Sequence, residues 1–522
     1  MRRYSVVVIL MLLVGLPVGA EVRLPHVFAD HMVLQRDKPT YLWGWAEADE
    51  AISVTFNEEA YAIRAGKNGT WEVPLKATPA GGPFTLVIAG TNTITLEDVL
   101  VGDVWICSGQ SNMGWPVDKS RDAESEIAAA DFPQIRSYIL YPNVALAPQG
   151  DANGQWRIIS PETVGNVSAV AYYFGREIHR DIEVPVGLIS TAWGGTPIES
   201  WMSPGASSRS EAFAQLKADW ADDVAKQGAA IYSFYTNRGD DRIEKPETTR
   251  GLGPAPNVPS LTYNAMIAPL GRMGIKGAIW YQGESNADRA YQYRELMTTL
   301  IDDWRGQFRQ GDFPFIITQL ANFKERASEP GPSAWAELRE AQALATRLPE
   351  VGLATIIDIG EGDNIHPANK QDVGYRLAQS ALNIAYGKHV LPAGPTYAGM
   401  KIKGNTIEIR YDNVGGGLTT WNRDSGENVF SDGREEPPLT GFAIAGEDQK
   451  FVWARARIEG KKILVSSETV DKPVAVRHGW ADNPACNLYN TESVVGASYK
   501  KPHLPAAPFR TDDFPMVTRD NK

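Results

Sequence analysis

The chain of 522 residues has few of the residue types that build metal centres and disulfide frameworks. It contains two cysteines, Cys107 and Cys486, and seven histidines without an HExxH or His-x-His pattern. Two cysteines cannot form a Cys-rich zinc site, so the sequence offers no case for a catalytic metal. One long-range disulfide would be the most that the two thiols allow. We favour the alternative that both are small buried hydrophobic side chains.

Excess positive charge and long apolar runs are also lacking. There are 51 basic and 63 acidic residues, and the formal net charge of −12 argues against broad nucleic-acid binding, which needs clustered Lys and Arg. At the start, Arg2 and Arg3 precede the apolar run Val6–Leu16 and small residues ending at Ala20. This pattern predicts a cleaved signal peptide over residues 1–20, because the run is short for a bilayer. We expect a periplasmic or extracellular protein without a membrane anchor; its oligomeric state cannot be read from the sequence.

Strand and helix patterns divide the mature chain into three regions. Residues 21–102 contain short runs rich in Val, Ile, Thr and aromatics between turn signals, which predicts an N-terminal β-sandwich. Residues 103–390 alternate apolar runs with helical patterns, which predicts an α/β domain with a parallel sheet between two layers of helices. Residues 205–257 interrupt that alternation and are interpreted as an insertion. Residues 391–522 are strand-like again and predict a C-terminal β domain.

Five apolar runs of the central region are predicted strands: Asp103–Cys107, Val186–Ser190, Ile275–Tyr281, Phe313–Leu320 and Val351–Asp358. Helical patterns stand before or after them: Ser168–His179, Tyr263–Arg272, Tyr291–Phe308, Trp335–Arg347 and Asn369–Tyr386. Ligands of open α/β sheets bind beyond the carboxyl ends of the strands. The loops that follow the strands are therefore the places to look for chemistry.

Ser111 follows the first strand in a Gly-Gln-Ser-Asn turn, and Asp363 and His366 follow the fifth strand. A serine hydroxyl becomes a good nucleophile only when a neighbouring base takes its proton. His366 is the candidate base, and Asp363 is the candidate carboxylate that fixes its tautomer and stabilises the imidazolium. The usual G-x-S-x-G elbow is absent around Ser111. The loops thus predict nucleophilic acyl transfer.

The loops after the second and third strands predict donors for an oxyanion and contacts for a substrate. Glycine lets the backbone approach closely, so the N–H groups of Ser111 and of Gly194 or Gly195 are candidate donors. A side-chain amide from the third loop would complete the hole, and the sequence does not choose between Gln282 and Asn286. The candidate substrate-binding and oxyanion residues are Gly194, Gly195, Gln282, Gly283, Glu284 and Asn286.

Four segments resemble the SGNH hydrolases and, within them, the sialate O-acetylesterase family: Val101–Met113, Val186–Trp201, Ala278–Asn286 and Asp363–His366. The resemblance implies a flavodoxin-like domain flanked by β domains, Ser111 as nucleophile with Asp363 and His366, and no metal or organic cofactor. It implies an acetylated carbohydrate substrate, foremost O-acetylated sialic acid, with acetylated hemicellulose such as xylan as the alternative. One departure concerns Gly-x-Asn of the third block, which here reads Gly283-Glu284-Ser285-Asn286.

Two other classes of protein compete with this interpretation. A glycosidase would pair Glu284 with Glu199 or Asp363, which requires a defined separation of two acids. It would leave Ser111 and His366 without roles. A non-enzymatic sugar-binding protein would use the β domains, but it leaves the central loops unexplained. For sialate, Arg339 is a candidate partner of the substrate carboxylate; its alternative role is a charge on a helix face.

Overall fold

The computed structural model describes residues 21–421, 438–491 and 504–521, so the predicted signal peptide lies outside the described residues. Seven strands begin the described chain: β1 Val33–Gln35, β2 Thr40–Trp45, β3 Ala51–Phe56, β4 Glu59–Arg64, β5 Thr70–Leu75, β6 Gly81–Ala89 and β7 Thr93–Gly109. β2 pairs with β5, and β3 pairs with β4 and β6. β3 alternates exposed and buried residues, as expected of a strand with one face in a core.

β7 joins this region to the central sheet. Its first half pairs with β6 and β1, and its second half pairs in parallel with two central strands. The predicted boundary between residues 102 and 103 therefore falls inside one continuous strand. Gly102 lies within β7, and a Cβ there would lie 2.0 Å from the carbonyl oxygen of Pro185, so glycine permits close packing at this point of the strand.

The remaining central strands are β8 Phe132–Leu140, β9 Gly154–Ile159, β10 Val186–Ala192, β11 Gly277–Tyr281, β12 Phe315–Thr318 and β13 Val351–Ala354. They stand in the order β13-β12-β11-β7-β10-β8-β9, all parallel except the edge strand β9. The five predicted strands take the order 2-1-3-4-5 of flavodoxin-like sheets, with β8 and β9 added outside β10. The chain crosses from one side of β7 to the other between β10 and β11, so the switch point lies at the carboxyl end of β7.

The helices are α1 Ser111–Gly114, α2 Ala123–Ala128, α3 Ala169–Ile182, α4 Glu211–Thr236, α5 Ala290–Phe308, α6 Ala334–Leu344 and α7 Lys370–Ile384. Side chains at the N-caps of α3, α4, α6 and α7 accept a hydrogen bond from the backbone N–H three residues on: Ser168, Ser210, Ser333 and Asn369. The predicted helix Tyr263–Arg272 is instead a π turn followed by a 3-10 turn, Ala268–Leu270, that contains Pro269.

Helices cover both faces of the central sheet. Trp105 of β7 packs against Phe174 of α3, with ring centroids 5.0 Å apart. Trp280 of β11 packs against Trp304 of α5, at 5.7 Å. Trp105 pairs with Gly277 and Trp280 with Ser108, so the two indoles point to opposite faces. α4 lies within the predicted insertion.

The C-terminal strands are β14 Thr396–Lys403, β15 Thr406–Asp412, β16 Leu418–Thr420, β17 Phe442–Ala445, β18 Val452–Trp453, β19 Arg455–Glu459, β20 Lys462–Ser466, β21 Ala475–His478, β22 Leu488–Asn490 and β23 Phe509–Arg510. They form the antiparallel sheets β14-β15-β20-β19 and β18-β17-β21-β23 and the pair β16-β22. Ile407, Ile463, Ile444 and Val476 belong to one core that both larger sheets share. Of the helices in the described ranges, none is long and apolar enough to cross a membrane.

Candidate active site

The nucleophile turn begins at the end of β7. A Cβ on Gly109 would lie 2.1 Å from the carbonyl oxygen of Tyr281, and the residue has a φ of 143°. Only glycine fits this close approach without strain. The N–H of Gln110 donates to the same carbonyl at 3.0 Å, and Ser111 begins α1 immediately afterwards. The backbone thus carries Ser111 out of the sheet at the switch point.

The structure brings Ser111 and His366 together, as expected. The Oγ of Ser111 lies 2.8 Å from the Nε2 of His366, a hydrogen-bonding distance across 255 residues of sequence. Both side chains are partly exposed, so a substrate can reach them. Burial, and then the charge of Lys370, lower the pKa of His366 below its ordinary value. An unprotonated imidazole at this distance can accept the proton of a neighbouring hydroxyl.

Asp363 does not contact the imidazole. Its side chain is exposed, and within the described part of the chain it makes no hydrogen bond and no ion pair. The carboxylate of Glu361 braces the loop instead, by accepting from the side chain of Asn364 and the backbone N–H of Ala368, both at 2.9 Å. Asn364 in turn accepts from the backbone N–H of His366 at 3.0 Å. The sequence pattern singled out Asp363 by spacing and missed Glu361.

The predicted oxyanion loop after β10 lies against the nucleophile. A Cβ on Gly194 would be 3.1 Å from the Cβ of Ser111 and 3.8 Å from its backbone nitrogen. Gly195 has a φ of 77°, which favours glycine. The N–H groups of Ser111 and Gly194 donate no hydrogen bond to any described residue. Two unpaired donors beside a hydroxyl are a suitable receptor for developing negative charge.

In the loop after β11, both candidate amides are engaged in hydrogen bonds with protein groups. The amide nitrogen of Gln282 donates to the carbonyl of Thr196 at 3.2 Å and to the Oδ1 of Asn286 at 2.7 Å. Asn286 donates to Glu199 at 2.9 Å and accepts from the N–H of Ile198 at 3.0 Å. Neither amide has exposed surface, so neither can reach a substrate oxyanion in this arrangement. Both amides brace the second loop against the third.

Gly283 and Glu284 also connect loops. The N–H of Gly283 donates to the Oε1 of Gln110 at 3.3 Å. The Oε1 of Glu284 accepts from the Nδ2 of Asn112 at 2.6 Å, and burial raises the pKa of Glu284. The structure gives the glycosidase hypothesis little support, because Glu199 is buried in an ion pair with Arg289, Glu284 is half-buried and bonded to Asn112, and Asp363 is exposed.

A buried polar network under the nucleophile was not identified from the sequence. The Nζ of Lys370 donates to the Oδ1 of Asn112 at 2.5 Å, and the Nδ2 of Asn112 also donates to the carbonyl of Ile365 at 3.0 Å. Burial lowers the pKa of Lys370 to about 7, while Glu284 and Glu361 oppose this shift. Asn112 follows Ser111 in the Gly-Gln-Ser-Asn turn, and this position is the sequence signal that marked it.

An aromatic side chain covers one face of His366. The indole of Trp115 is stacked on the imidazole of His366, with centroids 4.9 Å apart and an angle of 13° between the planes. No sequence pattern indicated a role for Trp115. Among the described residues, no cluster of three or more His, Cys, Asp or Glu side chains could hold a metal ion. Cys107 and Cys486 are both free thiols.

Arg339 lies outside the site. Its guanidinium is buried and donates to the carbonyls of Leu320, Ala321, Ala481 and Asp482 at 2.7–2.9 Å. Burial lowers the pKa of Arg339 to about 10. The side chain therefore joins the central α/β region to the C-terminal region. It is neither a ligand for a substrate carboxylate nor a charge on an exposed helix face.

Comparison with known proteins identifies the family of this chain. The family model for the carbohydrate esterase, sialic acid-specific acetylesterase, matches residues 101–232 and 254–383, which together make up half of the chain. The sialate O-acetylesterase of Pongo abelii is 32% identical over 72% of this chain and 74% of its own length. The sialate O-acetylesterase of Mus musculus is 29% identical over 97% of each chain.

A solved structure of a carbohydrate acetylesterase from Xanthomonas citri has a TM-score of 0.78 and 36% identity, and the match covers 94% of this chain and all of the other. The fold, the hydroxyl–imidazole pair and these relatives define a carboxylic ester hydrolase. The chain belongs to the sialic acid-specific acetylesterase family of carbohydrate esterases.

Proposed function

We propose that this protein removes acetyl groups from sugar hydroxyls through an acyl-enzyme on Ser111, and that O-acetylated sialic acid is its substrate. The observation that carries the mechanism is the 2.8 Å contact between the Oγ of Ser111 and the Nε2 of His366. The family and the mammalian relatives support the acetyl group and the sialate. Acetylated xylan is the alternative that the same chemistry would accept.

In the first half-reaction, the Ser111 hydroxyl attacks the acetyl carbonyl while His366 takes its proton. The N–H groups of Ser111 and Gly194 stabilise the tetrahedral oxyanion. The intermediate collapses when His366 returns the proton to the departing sugar oxygen, which leaves an acetyl ester on Ser111. In the second half-reaction, His366 deprotonates a water that attacks this ester, and acetate leaves as the free hydroxyl of Ser111 re-forms.

Asp363 stays a prediction for the third member of the triad. Its carboxylate must turn inward toward the Nδ1 of His366 to act on the imidazole, because it is exposed in this structure. Gln282 and Asn286 are not part of the proposed oxyanion hole, since both are buried in the brace between loops. The proposed oxyanion hole consists of the backbone N–H groups of Ser111 and Gly194.

The outer regions are proposed as β domains that support the hydrolase. The shared core of the two larger C-terminal sheets supports a sandwich there. The N-terminal strands are proposed as a sandwich that shares β7 with the central sheet. We also propose export through the signal peptide to the periplasm or the outside of the cell, with an acetylated carbohydrate as the partner.

A serine-reactive fluorophosphonate tests the nucleophile. We expect it to label the wild type and to leave Ser111→Ala unlabelled, with acetate release abolished in the same variant. The exposed Ser125, changed to Ala, is the matched control and should keep both properties. Esterase activity retained in Ser111→Ala would refute the assignment. Acetate release from acetylated sialic acid, acetylxylan and an aryl acetate, measured side by side, tests the substrate; preference for acetylxylan would replace sialate.

A further inference from the structure

The imidazole of His366 is held in an unusual way for a catalytic base. Its Nε2 contacts Ser111, whereas its Nδ1 has no hydrogen-bond partner among the described residues. A base normally depends on a third group for its orientation. One face of the imidazole is covered by the indole of Trp115, which lies nearly parallel to it with the ring centroids 4.9 Å apart.

Trp115 is itself fixed from several directions. Its indole N–H donates to the carbonyl of Lys119 at 2.8 Å, and its own carbonyl accepts from the N–H of Ala169 at 2.8 Å. The next residue, Pro116, forms a bridge with Ser168, whose Oγ donates to the carbonyl of Met113 at 2.6 Å. The start of α3 therefore anchors both α1, which carries the nucleophile, and the indole that covers the base.

We propose that Trp115 is a positioning residue for His366, whose plane it fixes and whose imidazolium it stabilises during acyl transfer. This inference rests on the proposed function. The face of an indole carries negative charge density and attracts a cation, most strongly among the aromatic side chains. It attracts a neutral imidazole only through stacking. The contact therefore strengthens as His366 takes the proton of Ser111. An interaction that is stronger in the transition state than in the ground state raises kcat.

The charges around His366 make such a contact useful. Lys370, at the start of α7, opposes protonation of His366. Glu284, from the loop after β11, is half-buried, and desolvation raises its pKa. Glu361 is occupied by its own loop, and Asp363 points to solvent. Lys119 lies 5.9 Å from the indole centroid. The aromatic face thus favours the imidazolium without an adjacent hydrogen-bonded carboxylate.

A different use of the same indole is a platform for the sugar ring, and kinetics separate the two. With an aryl acetate, we expect Trp115→Leu to lower kcat about tenfold, with KM changed less than twofold. Loss of the indole lowers the pKa of His366, so the acid limb of kcat/KM should move to lower pH. Trp115→Phe keeps an aromatic face and should fall between the wild type and Trp115→Leu.

Fluorophosphonate labelling provides the readout that separates this inference from the proposed function. Trp115→Leu should be labelled about tenfold more slowly than the wild type, whereas Ser111→Ala should not be labelled. Trp453→Leu, at an exposed tryptophan of β18, is the matched control and should behave as the wild type. A raised KM with unchanged kcat, or an unshifted acid limb, would overturn the positioning role. Failure to label the wild type would overturn the proposed function as well.

Discussion

Gly194 offers the most direct test of the oxyanion loop, because its Cα faces the nucleophile. A Cβ placed there would lie 3.1 Å from the Cβ of Ser111, whereas carbon atoms in good contact are about 3.5–4.0 Å apart. In Gly194→Ala, the loop or the serine must therefore move by about 0.4–0.9 Å. Gly194 has no positive φ, so backbone strain does not add to the effect.

The expected loss follows from that displacement. A misplacement of about 1 Å in an active site costs up to about 100-fold in rate, and complete loss of one oxyanion donor costs about 100- to 1,000-fold. A shift of about half that distance predicts a fall in kcat of about 10- to 100-fold, or about 1.4–2.7 kcal/mol of transition-state stabilisation. KM should change little, because the donor is used most in the tetrahedral intermediate.

The assay is steady-state hydrolysis of an aryl acetate, with thermal unfolding of the same samples. Gly331→Ala is the matched control, since no atom lies within 4 Å of the added Cβ. We expect Gly331→Ala to keep kcat and both variants to keep the melting temperature. Wild-type kcat in Gly194→Ala would refute the placement of this loop in the oxyanion hole. A melting temperature that falls together with kcat would point to disturbed folding instead.

Three further substitutions test the base, the buried cation and the buried guanidinium. His366→Ala should lower kcat more than Asp363→Asn, because the base transfers the proton and the carboxylate only orients it; equal small effects in both would remove the pair from the mechanism. Lys370→Met should move the acid limb of kcat/KM to higher pH, since it removes a charge that lowers the pKa of His366; an acid limb at the wild-type pH contradicts this. Arg339→Leu leaves buried carbonyls unpaired and should lower the melting temperature by about 5 °C or more. The activity ratio between acetylated sialic acid and aryl acetate should stay constant, and a selective loss on sialate would make Arg339 a substrate ligand.

The sequence predicted the central strands well where apolar runs are uninterrupted. It did not identify β8 and β9, because Pro133 and the polar residues of Gly154–Ile159 break the runs on which the prediction relied. It placed a boundary between residues 102 and 103, inside the continuous strand β7, because the pattern of apolar runs changes there. Periodicity reports burial along a strand, and it carries no information about which distant backbone approaches it.

In the predicted site too, the sequence indicates which loops meet but not the contacts between them. Ser111, His366 and Gly194 lie in loops that follow β7, β13 and β10, and parallel strands place such loops at one edge of the sheet. The partners of Gln282 and Asn286 depend on how two loops pack, which spacing does not encode. Lys370 was predicted within a helix, yet the cap at Asn369 aims this first residue of α7 inward to Asn112.

The residues beside the nucleophile explain how the loops keep their register. Gln110 accepts from the N–H of Gly283 in the loop after β11, and Asn112 donates to the carbonyl of Ile365 in the loop after β13. Asn286 accepts from the N–H of Ile198 in the loop after β10. Each bond adds about 1 kcal/mol when it is made, but a buried partner left without it costs about 1–3 kcal/mol. Because these hydrogen bonds link one loop to the next, loss of one amide should displace the proposed oxyanion donors relative to His366. The residues beside Ser111 therefore fix the relative positions of the loops.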